Sequence, residues 1–291
     1  MSLSPLLRRV LCVALAGILV SGCTEAADAP APPTAVATTS PSPSPPPTAS
    51  PAAGKAYLAL GDSITFGIGV PRPRQQGYPA RVAERLEEAT PPYDELRVLA
   101  VPGETATGFL EQRIDDVEMA IGELGERVGL VTIGLGANEL LRTRGDPACI
   151  ADPSGAACRE VANAAAEDAS TALDAVVGRV IAAVASAGGD ATILLLAYYN
   201  PDVEPIAVST IVGADGVIGC EAGDPAPGLN DRIACVAERH DVGLVNLYTA
   251  FLGREEELTG IGAGDVHPNS AGYEVIAERI AAELGLPAPG G

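Results

Sequence analysis

Residues 56–65 of the chain read AYLALGDSIT. The apolar run that ends at Leu60 is typical of a buried β-strand, and Gly61 and Asp62 are residues that open a tight turn. Such a turn leaves the hydroxyl of Ser63 at the carboxyl end of a strand, which is where α/β folds bind their ligands. A serine becomes a nucleophile only beside a base, and a Ser or Thr before a helix is also a common helix cap. Taken alone, the stretch fits both interpretations.

Three later segments supply the partners that a nucleophilic serine needs. Residues 101–105 (VPGET) and 134–139 (GLGANE) each follow an apolar run, and residues 265–269 (DVHPN) precede a final amphipathic helix. At these four blocks, in this order, the chain resembles the SGNH (GDSL) hydrolase family, named for a Ser, a Gly, an Asn and a His. The resemblance extends over residues 56–284. It depends on all four blocks together, because each block alone is a weak signal.

The resemblance implies a role for each block. Ser63 matches the nucleophile of the family, and His267 matches its general base. The N–H groups of Ser63 and Gly103 and the side-chain amide of Asn138 match the oxyanion hole. Attack on an ester carbonyl puts negative charge on its oxygen, and N–H donors aimed at that oxygen lower the barrier. The other histidine, His240, lies among charged residues at the end of a helical stretch, where a solvated helix-end residue is expected.

One position departs from the family pattern. Members usually carry an Asp three residues before the histidine to orient the imidazole, but here that residue is Gly264. The nearest acid is Asp265, two residues before His267. Residues two apart in an extended segment point the same way and rarely fold back on one another, whereas Gly262 and Gly264 allow a backbone carbonyl to turn toward the ring. The sequence therefore favours a Ser63–His267 dyad supported by a carbonyl, with Asp265 as the alternative catalytic acid.

The apolar periodicity predicts alternating strands and helices. Strands are predicted at 56–60, 95–101, 128–134, 191–197 and 242–246, and helices at 78–89, 107–124, 158–187, 228–239 and 270–284. This alternation predicts an α/β fold with a parallel sheet covered on both faces. The resemblance implies a three-layer sandwich with a five-stranded, mostly parallel sheet and a flavodoxin-like architecture. Residues 198–219 are either a wall of the substrate pocket or an ordinary surface insertion.

The amino-terminal region precedes the predicted domain. Residues 1–22 combine a basic start, a short apolar core and small residues before Cys23, which predicts a signal peptide. The small residues before Cys23 resemble a bacterial lipobox, in which the cysteine is lipidated; an ordinary cleavage site with an incidental cysteine is the alternative. Residues 23–54 are then the lipidated cysteine and a Pro-, Ala-, Ser- and Thr-rich linker that cannot bury a core. The length of residues 55–291 predicts one α/β domain, and the resemblance implies that it is the hydrolase domain.

Cysteine usage agrees with export. Two of the six cysteines lie before residue 24, and the other four are Cys149, Cys158, Cys220 and Cys235. Four cysteines in an oxidising compartment allow three disulfide connectivities, of which we predict the local one, Cys149–Cys158 and Cys220–Cys235. A zinc site is the alternative, but the chain has no Cys-x-x-Cys or His-x-x-x-His spacing, so no metal is expected.

The charge of the chain limits its partners. It has 18 basic and 38 acidic residues, for a formal net charge of −20. Such a surface disfavours nucleic acid and anionic headgroups, so any membrane contact is expected through the lipid anchor.

These observations predict a serine esterase that hydrolyses carboxylic esters through an acyl-enzyme and needs no cofactor. It is expected to be a monomer, tethered to the outer face of a bacterial membrane. The substrate is a small ester, a lipid or an acylated glycan, and the motif does not choose among them. Two alternatives stay open: a non-catalytic lipoprotein that binds glycan or lipid in the same cleft, and a deacetylase of cell-wall polysaccharide.

Overall fold

A computed structural model of the protein describes residues 54–200, 218–220 and 227–287. The predicted signal peptide, Cys23 and the linker lie outside the described residues, as does most of the segment 198–219. The strands are β1 (Lys55–Gly61), β2 (Tyr93–Ala100), β3 (Val128–Gly134), β4 (Thr192–Ala197), β5 (Gly243–Asn246), β6 (Thr259–Gly260) and β7 (Asp265–Pro268).

Helices fill most of the connections between the strands. The first six are α1 (Ser63–Phe66), α2 (Pro73–Gln76), α3 (Tyr78–Leu86), α4 (Ala106–Gln112), α5 (Ile114–Leu124) and α6 (Ala137–Thr143). The following six are α7 (Pro147–Ala151), α8 (Ala156–Ser186), α9 (Leu229–His240), α10 (Leu247–Phe251), α11 (Glu255–Leu258) and α12 (Ser270–Glu283). The predicted elements are confirmed to within a few residues, with one exception.

The exception is the helix predicted at 107–124, which is two helices that meet at Arg113. Arg113 has φ −124° and ψ −20°, ends α4 and precedes α5. Phe109 and Ile114 both belong to the core, but they are five residues apart, which does not fit the three- and four-residue spacing of one helical face. The break at Arg113 rotates α5 relative to α4, so that the side chains of both Phe109 and Ile114 reach the core.

The main sheet has the strand order β2-β1-β3-β4-β5, and all four pairings are parallel. The α/β prediction, with its flavodoxin-like sheet, is therefore confirmed. From β1 the chain moves to β2 on one side. It then crosses to β3 on the other side of β1 and continues outward to β4 and β5. The resulting crevice between β1 and β3, at the carboxyl ends of the strands, is where doubly wound folds bind ligands. The short antiparallel pair β6–β7 was not predicted, because two-residue strands leave no periodic signal.

Alternation along β1 separates two cores. Ala56, Leu58 and Leu60 pack in the core formed with α4, α5, α8 and α9. Tyr57 and Ala59 face the opposite side and pack with α3, α10 and α12. The fold is therefore a three-layer sandwich, with the central strand buried on both faces.

Helix α8 is the longest element of the sandwich. By length and composition alone it could cross a membrane. Its small and branched side chains, from Ala162 through Val184, are instead buried against the sheet and its neighbouring helices. We therefore assign α8 as a core helix of the domain.

Both predicted disulfides are confirmed. Cys149 of α7 is bonded to Cys158 in the first turn of α8, and Cys220 is bonded to Cys235 of α9. The bridges close loops of 9 and 15 residues. Each fixes a connection to a long helix that packs on the sheet.

Replacing Cys149 and Cys158 together by Ser should lower the free energy of unfolding by about 3 kcal/mol, because closing a loop of this size removes that much entropy from the unfolded chain. Denaturant unfolding of the oxidised proteins measures the difference. Adding reductant should destabilise the wild type more than the double variant. Alkylation of Cys149 in unreduced, exported protein would contradict this prediction.

Candidate active site

The first part of the site is the turn that follows β1. At Gly61 an added Cβ would lie only 2.5 Å from the carbonyl oxygen of Gly134, so the two neighbouring strands approach too closely there for a side chain. Asp62 caps helix α1, because its Oδ1 accepts a hydrogen bond from the N–H of Ile64 at 2.9 Å. Ser63 is the first residue of that helix, where backbone N–H groups have no partner within the helix. The turn thus presents both the hydroxyl and the N–H of Ser63 at the carboxyl end of the central strand.

The second part is the segment that carries His267. Its Nε2 lies 2.9 Å from Oγ of Ser63, although the two residues are 204 positions apart in the chain. Close packing holds the segment there: Gly69, in the left-handed region with φ 103°, has room for no side chain beside His267. The distance is that of a hydrogen bond, so the imidazole can take the proton of the serine hydroxyl.

Asp265 lies on the other side of the imidazole. Its Oδ1 is 2.5 Å from Nδ1 of His267 and also accepts the backbone N–H of His267 at 3.1 Å. The expected carbonyl-supported dyad is therefore not what the structure shows. A side-chain oxygen that accepts the N–H two residues on makes an Asx turn, and this turn folds the carboxylate back toward the ring. The segment is the short strand β7, as extended as the sequence analysis assumed, and the contact forms within it through the side chain of Asp265.

The histidine contacts also set the ionisation of Asp265. Partial burial raises the pKa of the Asp265 carboxyl, but the two hydrogen bonds from His267 and the imidazolium charge outweigh this effect and leave the pKa below its usual value. An ionised carboxylate at Nδ1 holds the tautomer whose Nε2 is free to accept a proton, and it stabilises the imidazolium that then forms.

Two further residues come from the loops after the neighbouring strands. Gly103, after β2, has φ 78°, a conformation that favours glycine, and its carbonyl accepts a hydrogen bond from Arg142 at 3.1 Å. Asn138, at the start of α6, donates Nδ2–H to the carbonyl of Glu104 at 2.8 Å and lies 3.5 Å from Oδ2 of Asp62. Both Nδ2–H groups of Asn138 thus have an acceptor in the protein, and the longer contact, to Asp62, is the weaker of the two. The contacts of Asn138 with Glu104 and Asp62 therefore bring the loops after β2, β1 and β3 together at one edge of the sheet.

Asp62 is the buried carboxylate of the site. Its side chain is 1% exposed, and Oδ2 accepts a hydrogen bond from the hydroxyl of Tyr198 at 2.9 Å. Burial raises the pKa of Asp62 to about 6, against the opposing effects of hydrogen bonds from Ile64 and Tyr198 and of the charge of His267. Through the hydrogen bond from Tyr198, this carboxylate ties the nucleophile turn to the residue that follows β4.

Glu139, next to Asn138, links two blocks of the site. Its Oε1 accepts the N–H of Thr107 in the first turn of α4 at 3.2 Å. Burial raises the pKa of the Glu139 carboxyl, although hydrogen bonds from backbone N–H groups oppose the shift. The contact holds the loop that contains Gly103 against the start of α6.

The sequence analysis placed Tyr198 and Tyr199 in a possible wall of the substrate pocket, but both lie in the core of the domain. Tyr198 and Tyr199 are 4% and 2% exposed, so their side chains belong to the framework of the site. The signal that could have identified them is their place directly after β4, at the same edge of the sheet as the four blocks.

The second histidine lies apart from the site. His240 ends α9, and its Nε2 is 3.0 Å from Oδ1 of Asp174 on α8. Within the ranges 54–200, 218–220 and 227–287, no group of three or more His, Cys, Asp and Glu side chains is placed to hold a metal ion.

Comparison with known proteins agrees with this geometry. The sequence model of the GDSL-like lipase/acylhydrolase family matches residues 59–275, which include Ser63, Gly103, Asn138 and His267. The search of curated proteins found no match.

Solved structures share the fold. The chain is similar to LAE5, an α/β hydrolase enzyme from the metagenome of Lake Arreo, with 24% identity, 81% of this chain and 98% of that chain covered, and a TM-score of 0.54. It is also similar to Axe2, an acetylxylan esterase from Geobacillus stearothermophilus, with 18% identity, 81% and 96% covered, and a TM-score of 0.54. A third is the psychrotrophic esterase EstA from Pseudoalteromonas sp., with 19% identity, 79% and 97% covered, and a TM-score of 0.50.

Replacing Asp265 by Asn should lower the turnover of an ester by about 10³-fold or more, because the imidazole loses both its charge partner and its tautomer. The matched control is Asp174→Asn, which removes the carboxylate beside His240 and should leave turnover unchanged. Steady-state kinetics on folded protein measures both. A loss of less than about tenfold in Asp265→Asn would show that the carboxylate is not needed.

Replacing Asp62 by Asn should shift the stability difference from the wild type in favour of the variant as the pH rises from 4 to 7.5, on top of a pH-independent loss, because an amide nitrogen cannot accept the hydrogen bonds that Oδ2 takes from Tyr198 and Asn138. The pKa of Asp62 in the folded protein, about 6, lies above its ordinary value of 3.8. The stability that this group contributes to the wild type is therefore fully present below pH 4 and is lost as the pH rises through 6. The gain for the variant should therefore grow with pH, by up to about 3 kcal/mol. Denaturant unfolding at pH 4 and pH 7.5 measures it. The control is Asp146→Asn, since Asp146 caps α7 in the same way but is more exposed; an equal pH dependence of the two variants would refute the prediction.

Proposed function

The chain belongs to the GDSL-like lipase/acylhydrolase family and is an ester-hydrolysing serine hydrolase, and from this premise we propose that it works through an acyl-enzyme on Ser63 and is exported and tethered to a bacterial membrane. The observation that carries the catalytic part is the 2.9 Å contact between Oγ of Ser63 and Nε2 of His267. A nucleophile beside an oriented base is the arrangement that covalent catalysis requires.

The first half-reaction follows from that contact. His267 Nε2 takes the hydroxyl proton while Oγ of Ser63 attacks the ester carbonyl carbon. The electron pair of the carbonyl moves onto its oxygen, which accepts hydrogen bonds from the N–H groups of Ser63 and Gly103 and from Nδ2–H of Asn138. When the tetrahedral intermediate collapses, the C–O bond to the alcohol breaks, and the departing alcohol takes the proton from His267.

The second half-reaction uses the same groups. A water molecule gives its proton to Nε2 of His267 and attacks the acyl carbon. The intermediate releases the carboxylic acid, and the proton returns to Oγ of Ser63. Throughout, Asp265 at Nδ1 stabilises the positive charge on the ring. A protein that only binds glycan or lipid would have no need for a serine, its base and oxyanion donors at one edge, which favours the enzyme over the binding alternative.

The fold does not determine the substrate class. A panel of substrates tests it instead. The panel contains p-nitrophenyl esters of increasing chain length and an acetylated polysaccharide. Acetylated xylan is a suitable choice, because one structural neighbour is an acetylxylan esterase. A preference for short activated esters, for long chains or for acetylated glycan would assign the enzyme as a small-ester esterase, a lipase or a deacetylase.

Export and anchoring are supported by the sequence and by the cysteines. Residues 1–22 have the pattern of a signal peptide and immediately precede Cys23. The two disulfides of the domain belong to oxidising compartments. We propose that Cys23 carries the lipid, that residues 24–54 are the tether and that residues 55–291 are the catalytic domain.

The purified protein should hydrolyse a short activated ester and be labelled at Ser63 by an organophosphonate, since a phosphonate reacts with an activated serine. Mass spectrometry of the labelled peptide and steady-state kinetics are the measurements. Ser63→Ala should abolish both signals, and Ser170→Ala, on the exposed side of α8, should keep both. The proposal fails if no adduct forms on Ser63 and the turnover equals that of Ser63→Ala.

Full-length protein expressed in a bacterium should enter the detergent phase, and Cys23→Ala should leave that phase or remain unprocessed, because lipid is added to the cysteine thiol. Cys12→Ala, within the predicted apolar core of the signal peptide, is the control and should behave as the wild type. Detergent partitioning and intact mass measure the outcome. Equal partitioning of the Cys23 variant, with no lipid mass on the wild type, would disprove anchoring.

A further inference from the structure

Two consecutive tyrosines follow β4 and are not assigned to any step of the reaction. Tyr198 and Tyr199 alternate across the sheet, so that Tyr198 packs in the core with α8 and α9, and Tyr199 packs in the core with α10 and α12. Both rings are buried, and burial raises the pKa of each phenol well above its usual value. The two hydroxyls therefore stay protonated and act as hydrogen-bond donors.

The hydroxyl of Tyr198 holds the nucleophile turn. It donates to Oδ2 of Asp62 at 2.9 Å, across 136 positions of the chain. The other carboxylate oxygen of Asp62 accepts the N–H of Ile64 and so fixes the start of α1. The position of Ser63 thus depends on a carboxylate whose two oxygens are held from opposite sides.

The hydroxyl of Tyr199 holds the histidine segment. It donates to the carbonyl of Val266 at 2.7 Å, and Val266 lies between Asp265 and His267. The ring of Tyr199 stacks on Phe251 with centroids 4.4 Å apart and planes 13° apart. The hydrogen bond from Tyr199 is thus made to the backbone between Asp265 and His267.

The backbone of the tyrosine pair is itself fixed by Asn230. Oδ1 of Asn230 accepts the N–H of Tyr198 at 2.7 Å, and Nδ2 donates to its carbonyl at 2.7 Å. Asn230 is fully buried in the first turn of α9. A two-point bond of this kind, removed from water, leaves the backbone of Tyr198 little freedom.

We propose that Tyr198 and Tyr199 are positioning residues that set the separation of Ser63 and His267, with Asn230 fixing the pair. One hydroxyl holds the nucleophile turn, the adjacent hydroxyl holds the segment of the base, and the two are joined by a single peptide unit. The proposal rests on the proposed ester hydrolysis. Neither hydroxyl touches the reacting atoms, so the pair acts on the geometry of the proton transfer and not on substrate binding.

The test compares Tyr198→Phe and Tyr199→Phe in the full chain, with Tyr57→Phe as the matched control. Tyr57 is also fully buried, and its hydroxyl is hydrogen-bonded to Thr132 at 2.9 Å in the middle of the sheet. All three variants lose one buried hydroxyl, so their Tm values should fall by similar amounts. Each positioning variant should lose about tenfold or more in kcat with KM within about twofold of the wild type, since small displacements of reacting groups cost 10- to 100-fold. The control should keep both constants.

A second readout does not depend on ester turnover. The rate at which a saturating organophosphonate labels Ser63 should fall in Tyr198→Phe and Tyr199→Phe in parallel with kcat. A wild type that is labelled but hydrolyses no ester would contradict the proposed function, while the labelling rates would still decide the role of the tyrosines. If Tyr199→Phe does not fold, Phe251→Leu removes the stacked ring but keeps the hydroxyl, and it should lower the labelling rate by a smaller factor.

The proposal is overturned if both tyrosine variants keep kcat and the labelling rate within about twofold of the wild type. It is also overturned if Tyr57→Phe loses kcat to the same extent, because the effect would then follow from the loss of any buried hydroxyl. A rise in KM with kcat unchanged would place the tyrosines in substrate binding and would refute the positioning role.

Discussion

The hydrogen bond between Ser63 and His267 is the contact that the architecture has to make possible. It joins the end of the first strand to the segment before the last helix, 204 positions later. For the bond to form, each intervening strand and helix must return the chain to the same edge of the sheet. A parallel sheet satisfies this condition, because its crossovers bring successive carboxyl ends to one side. The crevice between β1 and β3 then lies where the loop after β2 and the start of α6 can face the serine.

The sequence predicts the fold and much of the site, because both depend on local patterns. The strands are short apolar runs bounded by turn residues, and Ser63, Gly103, Asn138 and His267 lie directly after strands or before a helix. The position of Asp265 was misjudged: the segment is extended, as expected, but the Asx turn that brings the carboxylate to His267 was not foreseen. Apolar spacing also failed to show the break at Arg113.

The contacts of Tyr198, Tyr199 and Asn230 could not be predicted for a different reason. Each residue depends on a partner that is distant in the sequence. The partner is Asp62 for Tyr198, Val266 for Tyr199 and Tyr198 for Asn230. No periodicity or spacing encodes such pairs. The buried carboxylates of Asp62 and Glu139 belong to the same class. Burial raises the pKa of both carboxyls, so ionising them in the folded domain costs free energy, and such local conflicts are typical of functional sites.

The direction of β1 has a mechanical consequence. Lys55 begins the strand and Gly61 ends it two residues before Ser63, so the two ends are separated by about 20 Å at the usual rise per residue. The amino-terminal end of β1 therefore lies at the edge of the sheet opposite to the one that carries Ser63. A pull on the chain at Lys55 acts along a strand that is paired with β2 on one side and β3 on the other. The load is therefore carried in shear by two ladders of hydrogen bonds at once, and the force does not open them one at a time.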